Sequence, residues 1–196
     1  MDDLVSAFKG LIPSKFVLPR KGGIWMVEEP EAENSLFEIS GGASHAFSLD
    51  QKGCDVFPFF KSELQGVKSV NDALIVSKVD GENYIVAVEM KTSKKKVSEA
   101  LMQIESGRKF IFWARELISL HGHFRTDGCR FFGVISLKPR KQIRKGVTSR
   151  SGGLPSPILS NLGSYHYFLL ENHTRASIAD LVKKIIETRG SCEKAA

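Results

Sequence analysis

Asp72, Glu89 and Lys91 are the residues whose types and spacing could do chemistry together in this 196-residue chain. They stand near the two ends of the stretch Asn71–Ser93, NDALIVSKVDGENYIVAVEMKTS, which has Asp80-Gly81 between two apolar runs. A two-residue Asp-Gly loop between such runs is a strong hairpin signal, because a type I′ turn needs positive φ at both central residues. With those residues as the loop, Val79 pairs with Glu82, and the register carries back to Asp72 opposite Glu89. Side chains alternate with period two, so Lys91 shares the face of Glu89. Two carboxylates within roughly 5 Å of one another are costly when half-buried, unless they are paired or bind a cation. They suit a hard divalent ion such as Mg²⁺, which takes oxygen ligands. A neighbouring ammonium could orient a water or offset charge building on a phosphate.

The elements that must hold these residues follow from the same stretch. One face of the hairpin carries Leu74, Val76, Ile85 and Ala87; the other carries Ala73, Ile75, Val79, Tyr84, Val86 and Val88. Both faces are apolar, which predicts a pair of strands central in a sheet and covered on both sides. After the hairpin, Val97, Leu101 and Ile104, then Phe110, Trp113, Leu117 and Leu120, keep a helical spacing. This predicts a helix to about His121, capped by Ser93 or Ser98 and interrupted or bent at Gly107. The aromatics Phe110, Phe112 and Trp113 are expected to pack the core. Lys94, Lys95 and Lys96 sit at the helix entry, unfavourable for the dipole, and are a solvated charge run or a contact with a phosphate.

The arrangement resembles the PD-(D/E)xK nuclease superfamily. That family places an acidic residue on one strand and Glu or Asp, any residue, then Lys on the next. Here these are Asp72 and Glu89-Met90-Lys91, with Asn71 rather than Pro before the first acid. The resemblance covers roughly Glu31 to Leu137. It implies an α/β fold, a three-layer α/β/α sandwich around a mixed central sheet with an antiparallel hairpin carrying the site, restriction-endonuclease-like. It also implies cleavage of phosphodiester bonds, endonucleolytic and dependent on Mg²⁺ or Mn²⁺, with DNA a more usual substrate than RNA. Asp72, Glu89 and the Met90 carbonyl would ligate the metal, and Lys91 would position or activate the attacking water. Gln103 on the following helix would stand near the site. Family members often have an upstream helix whose Glu reaches the metal. The acidic segment Glu28–Gly42, with Pro30 at a first helical position and Gly41-Gly42 as a stop, predicts such a helix with Leu36 and Ile39 inward. Glu38 is its candidate ligand, with Glu33 behind it. Asp55, in the apolar run Cys54–Phe60, is the rival for the first acidic position, and His45 is a further ligand candidate by analogy with viral cap-snatching endonucleases.

Length and composition set the frame. One domain, residues 1–190, is expected, with a disordered tail at 191–196. Hydrophobic residues make up 42% and charged residues 26% of the chain, ordinary for a globular protein. A net charge of +6 mildly favours a polyanionic partner. The three cysteines, Cys54, Cys129 and Cys192, are widely spaced and follow no CxxC pattern, which argues against a zinc site or disulfide framework and for a reducing, cytoplasmic setting. No apolar run reaches the length of a membrane span, and no signal-peptide core is present. There is no P-loop, no dinucleotide fingerprint and no Ser-His-Asp or Cys-His arrangement.

The remaining segments read as follows. Asp2-Asp3 suits the N-terminus of a short amphipathic helix ended by Pro13. Pro19–Gly23 is a basic turn, a solvated loop or a phosphate contact. His45–Leu49 and Cys54–Phe60 are candidate strands, the second an outer strand of a meander with the hairpin, though Pro58 argues for an edge or bulge. Cys129–Leu137 is a strand that adds to the sheet after the helix. Lys138–Pro157 holds Lys138, Arg140, Lys141, Arg144, Lys145 and Arg150 with no acid, then Gly, Ser and Pro; such loops suit phosphate backbones. Tyr165–Glu171 is a last strand, and Ala176–Arg189 a helix with Ile178, Leu181, Val182, Ile185 and Ile186 inward, stopped by Gly190. The whole predicts a metal-dependent nuclease acting on nucleic acid, alone, as a homodimer or with a partner protein supplying specificity. The alternatives are a catalytically silent module of the same fold that binds nucleic acid or scaffolds a complex, and a protein-binding α/β domain.

Overall fold

The computed structural model describes residues 3–29, 35–51, 53–61, 66–122, 128–137 and 153–193, with side chains as far as Thr188. In chain order the elements are α1 (Leu4–Leu11), a 3₁₀ turn (Ser14–Phe16), β1 (Arg20–Lys21), β2 (Ile24–Glu28), β3 (Leu36–Ser40), β4 (Ala43–Phe47), β5 (Ala73–Val79) and β6 (Glu82–Lys91). A second 3₁₀ turn (Lys94–Lys96) leads into α2 (Val97–Leu120), followed by β7 (Cys129–Leu137), β8 (Ile158–Leu159), β9 (His166–Glu171), β10 (Arg175–Ser177) and α3 (Ile178–Glu193). Among the described residues the protein is mixed α/β, with three helices and two mixed sheets.

The larger sheet has six strands in the order β4-β5-β6-β7-β9-β8. Inside it, with strands on either side, lies the β5–β6 hairpin in the expected register, from Val79 opposite Glu82 to Ala73 opposite Val88. The turn is of the expected kind, with φ of 50° at Asp80 and 85° at Gly81. β7 and β9 add in parallel, while β4 and β8 close the edges antiparallel. The order strand, strand, strand, helix, strand is therefore present as β4-β5-β6-α2-β7. Its outer strand is Ala43–Phe47, however, which includes part of the first candidate strand, and not Cys54–Phe60. The latter segment forms turns, as Pro58 and a crowd of large aromatics with no alternation allow.

Both faces of this sheet are buried. α1 and α2 cover one, packing Phe8, Ile104 and Ile111 against Leu74, Val76, Ile85 and Ala87. Small residues in the sheet let α2 lie close: a Cβ at Gly133 would come within 3.0 Å of the Ile104 side chain. The opposite face carries Ala73, Ile75, Val86 and Val88 and packs against α3 and a second, four-stranded sheet of order β1-β2-β3-β10. At about 1.5–3 kcal/mol for each large apolar side chain fully buried, these two clusters account for the hairpin's continuous apolar runs.

In the described part of Glu28–Gly42, residues 36–40 form a strand of the second sheet where a helix was expected. Residues 24–28 and 36–40 alternate with period two: Trp25, Val27, Phe37 and Ile39 face the core, while Leu36 is exposed. The acidic residues had masked this alternation. Arg20 belongs to the framework of the sheet, donating to the carbonyls of Gly41 and Gly42 and stacking its guanidinium 4.7 Å from the Trp25 ring.

The helices depart from expectation in smaller ways. α1 is capped by Asp3, which accepts from the Ser6 N–H at 2.7 Å. α2 runs unbroken through Gly107, so its buried stripe keeps phase as Ala100, Ile104, Gly107, Ile111, Ala114 and Ile118. Trp113, Leu117 and Leu120, expected to continue the inner face, are exposed, and neither Ser93 nor Ser98 caps the helix through its side chain. α3 passes Gly190 and ends at Glu193, and Ile186 lies on its outer face. Among the described residues no helix is long and apolar enough to cross a membrane.

Candidate active site

The hairpin's open end brings Asp72, Glu89 and Lys91 together, as the register requires. Asp72 immediately precedes β5, and Glu89 and Lys91 lie in β6. Their face is the one that α2 covers. Asp72 is 7% and Glu89 1% exposed, which makes them the most buried carboxylates among the described residues. The backbone N–H of Met90 donates to Asp72 Oδ2 at 2.5 Å. Lys91 Nζ lies 2.8 Å from Glu89 Oε1 and 3.2 Å from Glu99 Oε1 on α2. The other Glu89 oxygen, Oε2, accepts a long hydrogen bond of 3.5 Å from Asn71 Nδ2.

α2 finishes the site along one stripe. Glu99, Gln103 and Gly107 are four residues apart and so stack on one side of the helix. Glu99 touches Lys91 at one end of the stripe. At the other end, a Cβ on Gly107 would fall 1.6 Å from Asn71 Oδ1, so the Asn71 amide rests against bare helix backbone. Gln103 stands between the two, and its Oε1 is buried without a hydrogen-bond partner. Asn71, where the resembled motif has Pro, is thus an integral part: its side chain is buried and bridges helix and carboxylate. Asn71, Gly107 and Glu99 were not singled out as site residues by sequence reasoning. The signal was present at Gly107, a glycine inside a helical pattern with no turn to make.

Burial chiefly, and then the facing Glu89 carboxylate, push Asp72 up to about 8. Burial likewise pushes Glu89 up to about 7, with Lys91 and Asn71 pulling it back in part. Burial alone would lower the Lys91 ammonium, but its contacts with Glu89 and Glu99 more than offset that and raise it. The charge balance is short of cations: one ammonium faces Glu89, Glu99 and the adjoining Asp72. Glu29, just past β2, adds a further negative potential that raises Asp72. The upstream acid nearest in effect is therefore Glu29, at a strand end, a position hidden by reading that segment as a helix.

Other expected site residues fall elsewhere. Glu38 lies mid-strand in β3, paired in register with Met26 and Arg175 in the second sheet, not on a helix. Asp55 is exposed, accepts from the Phe57 N–H and forms a 2.7 Å ion pair with Lys68, which holds its carboxyl below the usual range. His45 is buried on β4 opposite Val76, four residues along β5 from Asp72 and so roughly 13 Å away; burial lowers its pKa and its Nε2 has no partner. Lys94 is tied to Glu171 at 2.6 Å, while Lys95 is exposed beside it. Met90 is seen as a donor through its N–H. Glu33 and the basic residues Lys138, Arg140, Lys141, Arg144 and Lys145 lie outside the described residues. The strand before them, β7, ends at Leu137 opposite Lys91, so the chain leaves the sheet at the site.

The donor set suits a hard cation, since it offers carboxylate oxygens whose mutual repulsion a divalent ion would relieve. Among the described residues no group of three or more His, Cys, Asp or Glu converges as a metal cluster. An ion resting on Asp72 and Glu89 would keep several waters, which is the habit of Mg²⁺. No family model, no curated protein and no solved structure matches this chain.

Proposed function

We propose that the chain is a divalent-metal-dependent nuclease with a restriction-endonuclease-like core, hydrolysing phosphodiester bonds in nucleic acid, DNA before RNA. The observation that carries this reading is the pair of buried carboxylates, Asp72 and Glu89, held side by side with Lys91 at the open end of a central hairpin. A fold spends stability on such a pair only for a return elsewhere, because each carboxylate is cheaper in water. The finer fold reading, a three-layer sandwich, rests on the β4-β5-β6-α2-β7 order, with α1 and α2 on one face and α3 with the small sheet on the other.

In this mechanism Asp72 and Glu89 would hold Mg²⁺ or Mn²⁺, with the Met90 carbonyl a further ligand by resemblance. Bound there, the ion supplies Lewis acidity and a water of lowered pKa. The Met90 N–H and the Asn71 amide fix the two carboxylates in place. Lys91 orients the attacking water and faces the charge gathering on the phosphate, and Glu99 sets the position of its ammonium. The net charge of +6 favours a polyanionic partner. Sequence choice, which phosphate contacts do not supply, falls to a homodimer or a partner protein.

The test is incubation of the protein with plasmid, single-stranded DNA and RNA in Mg²⁺, Mn²⁺ or EDTA, beside Asp72→Asn and Glu89→Gln. Metal-dependent cutting that both substitutions remove is the expected result. One observation favours a second reading, a catalytically silent nucleic-acid-binding module: Lys91 is engaged by two carboxylates rather than free. Binding of nucleic acid without cutting, and without calorimetric metal uptake, would select it.

A further inference from the structure

Beside the carboxylates lies a feature that the hydrolytic reading leaves unused. Phe57, Phe59, Phe60, Phe110 and Trp113 form a connected set of rings, with centroid separations from 4.7 Å to 6.2 Å. They are poorly buried for their size: Phe59 is 72%, Trp113 54% and Phe60 44% exposed. They wall an open cavity of about 390 Å³ that also touches Asn71 and Gly107. That is the size of a small-molecule site, lined by exposed aromatic side chains.

We propose that this pocket takes an unstacked nucleobase from a single-stranded stretch of substrate, the base adjoining the phosphate that is cut. The proposal rests on the nuclease reading for the position of that phosphate. Three observations carry it. Three of the aromatics, Phe59, Phe60 and Trp113, are exposed, and base–aromatic stacking is the sequence-tolerant way to hold a single strand. The lining residue Asn71 sets a buried amide into the pocket wall, its Oδ1 packed against the Gly107 backbone. The same amide holds Glu89 through its Nδ2, so the pocket and the carboxylate site share a residue and stand next to each other. A base in a duplex, stacked on both sides, could not enter. Selection of single-stranded or frayed substrate follows from the geometry.

The experiment measures equilibrium binding of a labelled short single strand, and of the blunt duplex of the same sequence, in EDTA. The proteins compared are the wild type, Trp113→Ala, Phe59→Ala and the conservative Trp113→Phe. Both positions are largely exposed, so these variants should fold, and thermal melting checks that they do. The wild type should prefer the single strand. Each alanine variant should weaken that binding by about 5- to 150-fold, the range for removing one base from an aromatic platform, with duplex binding little changed and Trp113→Phe close to wild type. Single strands should also quench tryptophan emission, because Trp113 is exposed whereas Trp25 is buried. Equal affinity for single strand and duplex, unmoved by Trp113→Ala, would overturn the proposal, as would absence of binding to either. Loss of cutting in Asp72→Asn with Trp113→Ala unaffected would keep the nuclease and discard the pocket. Single-strand binding abolished in Trp113→Ala, in a protein that never cuts, would do the reverse.

Discussion

At the scale of single residues, the site is defined by what its charges cost. Glu89 is almost wholly buried, and Lys91 is the cation beside it. Removing one partner of a buried ion pair leaves an uncompensated charge, typically at about 3–5 kcal/mol. Lys91→Ala should therefore lower stability at pH 8 by an amount approaching that range, and by much less at pH 5, where Glu89, raised to about 7, takes up a proton instead. Urea denaturation at the two pH values measures the difference. Asp72→Asn should do the opposite. It removes a carboxylate that burial and Glu89 disfavour while keeping a group that the Met90 N–H can bond. The metal-free variant should melt above the wild type at pH 8 and lose cutting by about a hundredfold or more, the usual scale for losing a group that stabilises transition-state charge. A variant that melted lower would show that Asp72 is a structural anion.

At the scale of elements, the contact between α2 and the segment just ahead of β5 is the most sensitive joint. Alanine in place of glycine inside a helix ordinarily gains about 1 kcal/mol. At Gly107 the gain should be reversed, because the new Cβ would lie 1.6 Å from Asn71 Oδ1. Gly107→Ala should thus lower the melting temperature and displace Asn71 from Glu89, weakening activity in parallel. Asn71→Ala removes the obstacle, so the double variant should be more stable than Gly107→Ala alone. A double-mutant cycle on thermal or denaturant data reads this coupling, and additive effects would refute the contact. The same joint explains the unbroken helix. Gly107 is a site of close approach rather than a hinge, and the inner stripe continues in phase past it to Ile118.

At the scale of the whole molecule, the two raised carboxylates give the metal-free protein a characteristic pH response. Asp72 and Glu89 hold their protons more tightly folded, at about 8 and 7, than unfolded, at 3.8 and 4.5. The folded state then binds more protons throughout that window, and stability falls as pH rises from about 4 towards 8. Melting in EDTA should follow that slope. Excess Mg²⁺ or Mn²⁺ should raise the melting temperature most at the alkaline end, since it binds the ionised folded form, and Asp72→Asn should flatten both effects. A melting temperature that rises with pH in EDTA would contradict the assignment of the pair. The basic residues after β7 belong to this scale too. Neutralising Lys138, Arg140, Lys141 and Arg144 together should weaken nucleic-acid binding across sequences and reduce its salt dependence, by about 0.7–0.9 in the logarithmic slope for each phosphate no longer neutralised.

Local rules were enough wherever neighbours in sequence are neighbours in space. Asp80-Gly81 determines the turn, the turn determines the register, and the register places Asp72, Glu89 and Lys91 together. The apolar runs of β5 and β6, the strand Cys129–Leu137 and the Asp3 cap follow from the same short-range physics. The tertiary structure alone decided what crosses between elements. Whether Leu36–Ser40 would be strand or helix depended on β2 and β10 being there to pair with it, and its acidic flanks spoke only for local propensity. Asn71 gained its role because α2 passes within contact of it, and Glu29 because the second sheet ends beside the hairpin. Trp113 is exposed because the phase of a continuous helix, set by packing from Ala100 to Ile118, overrides the attraction of a large apolar side chain for the core.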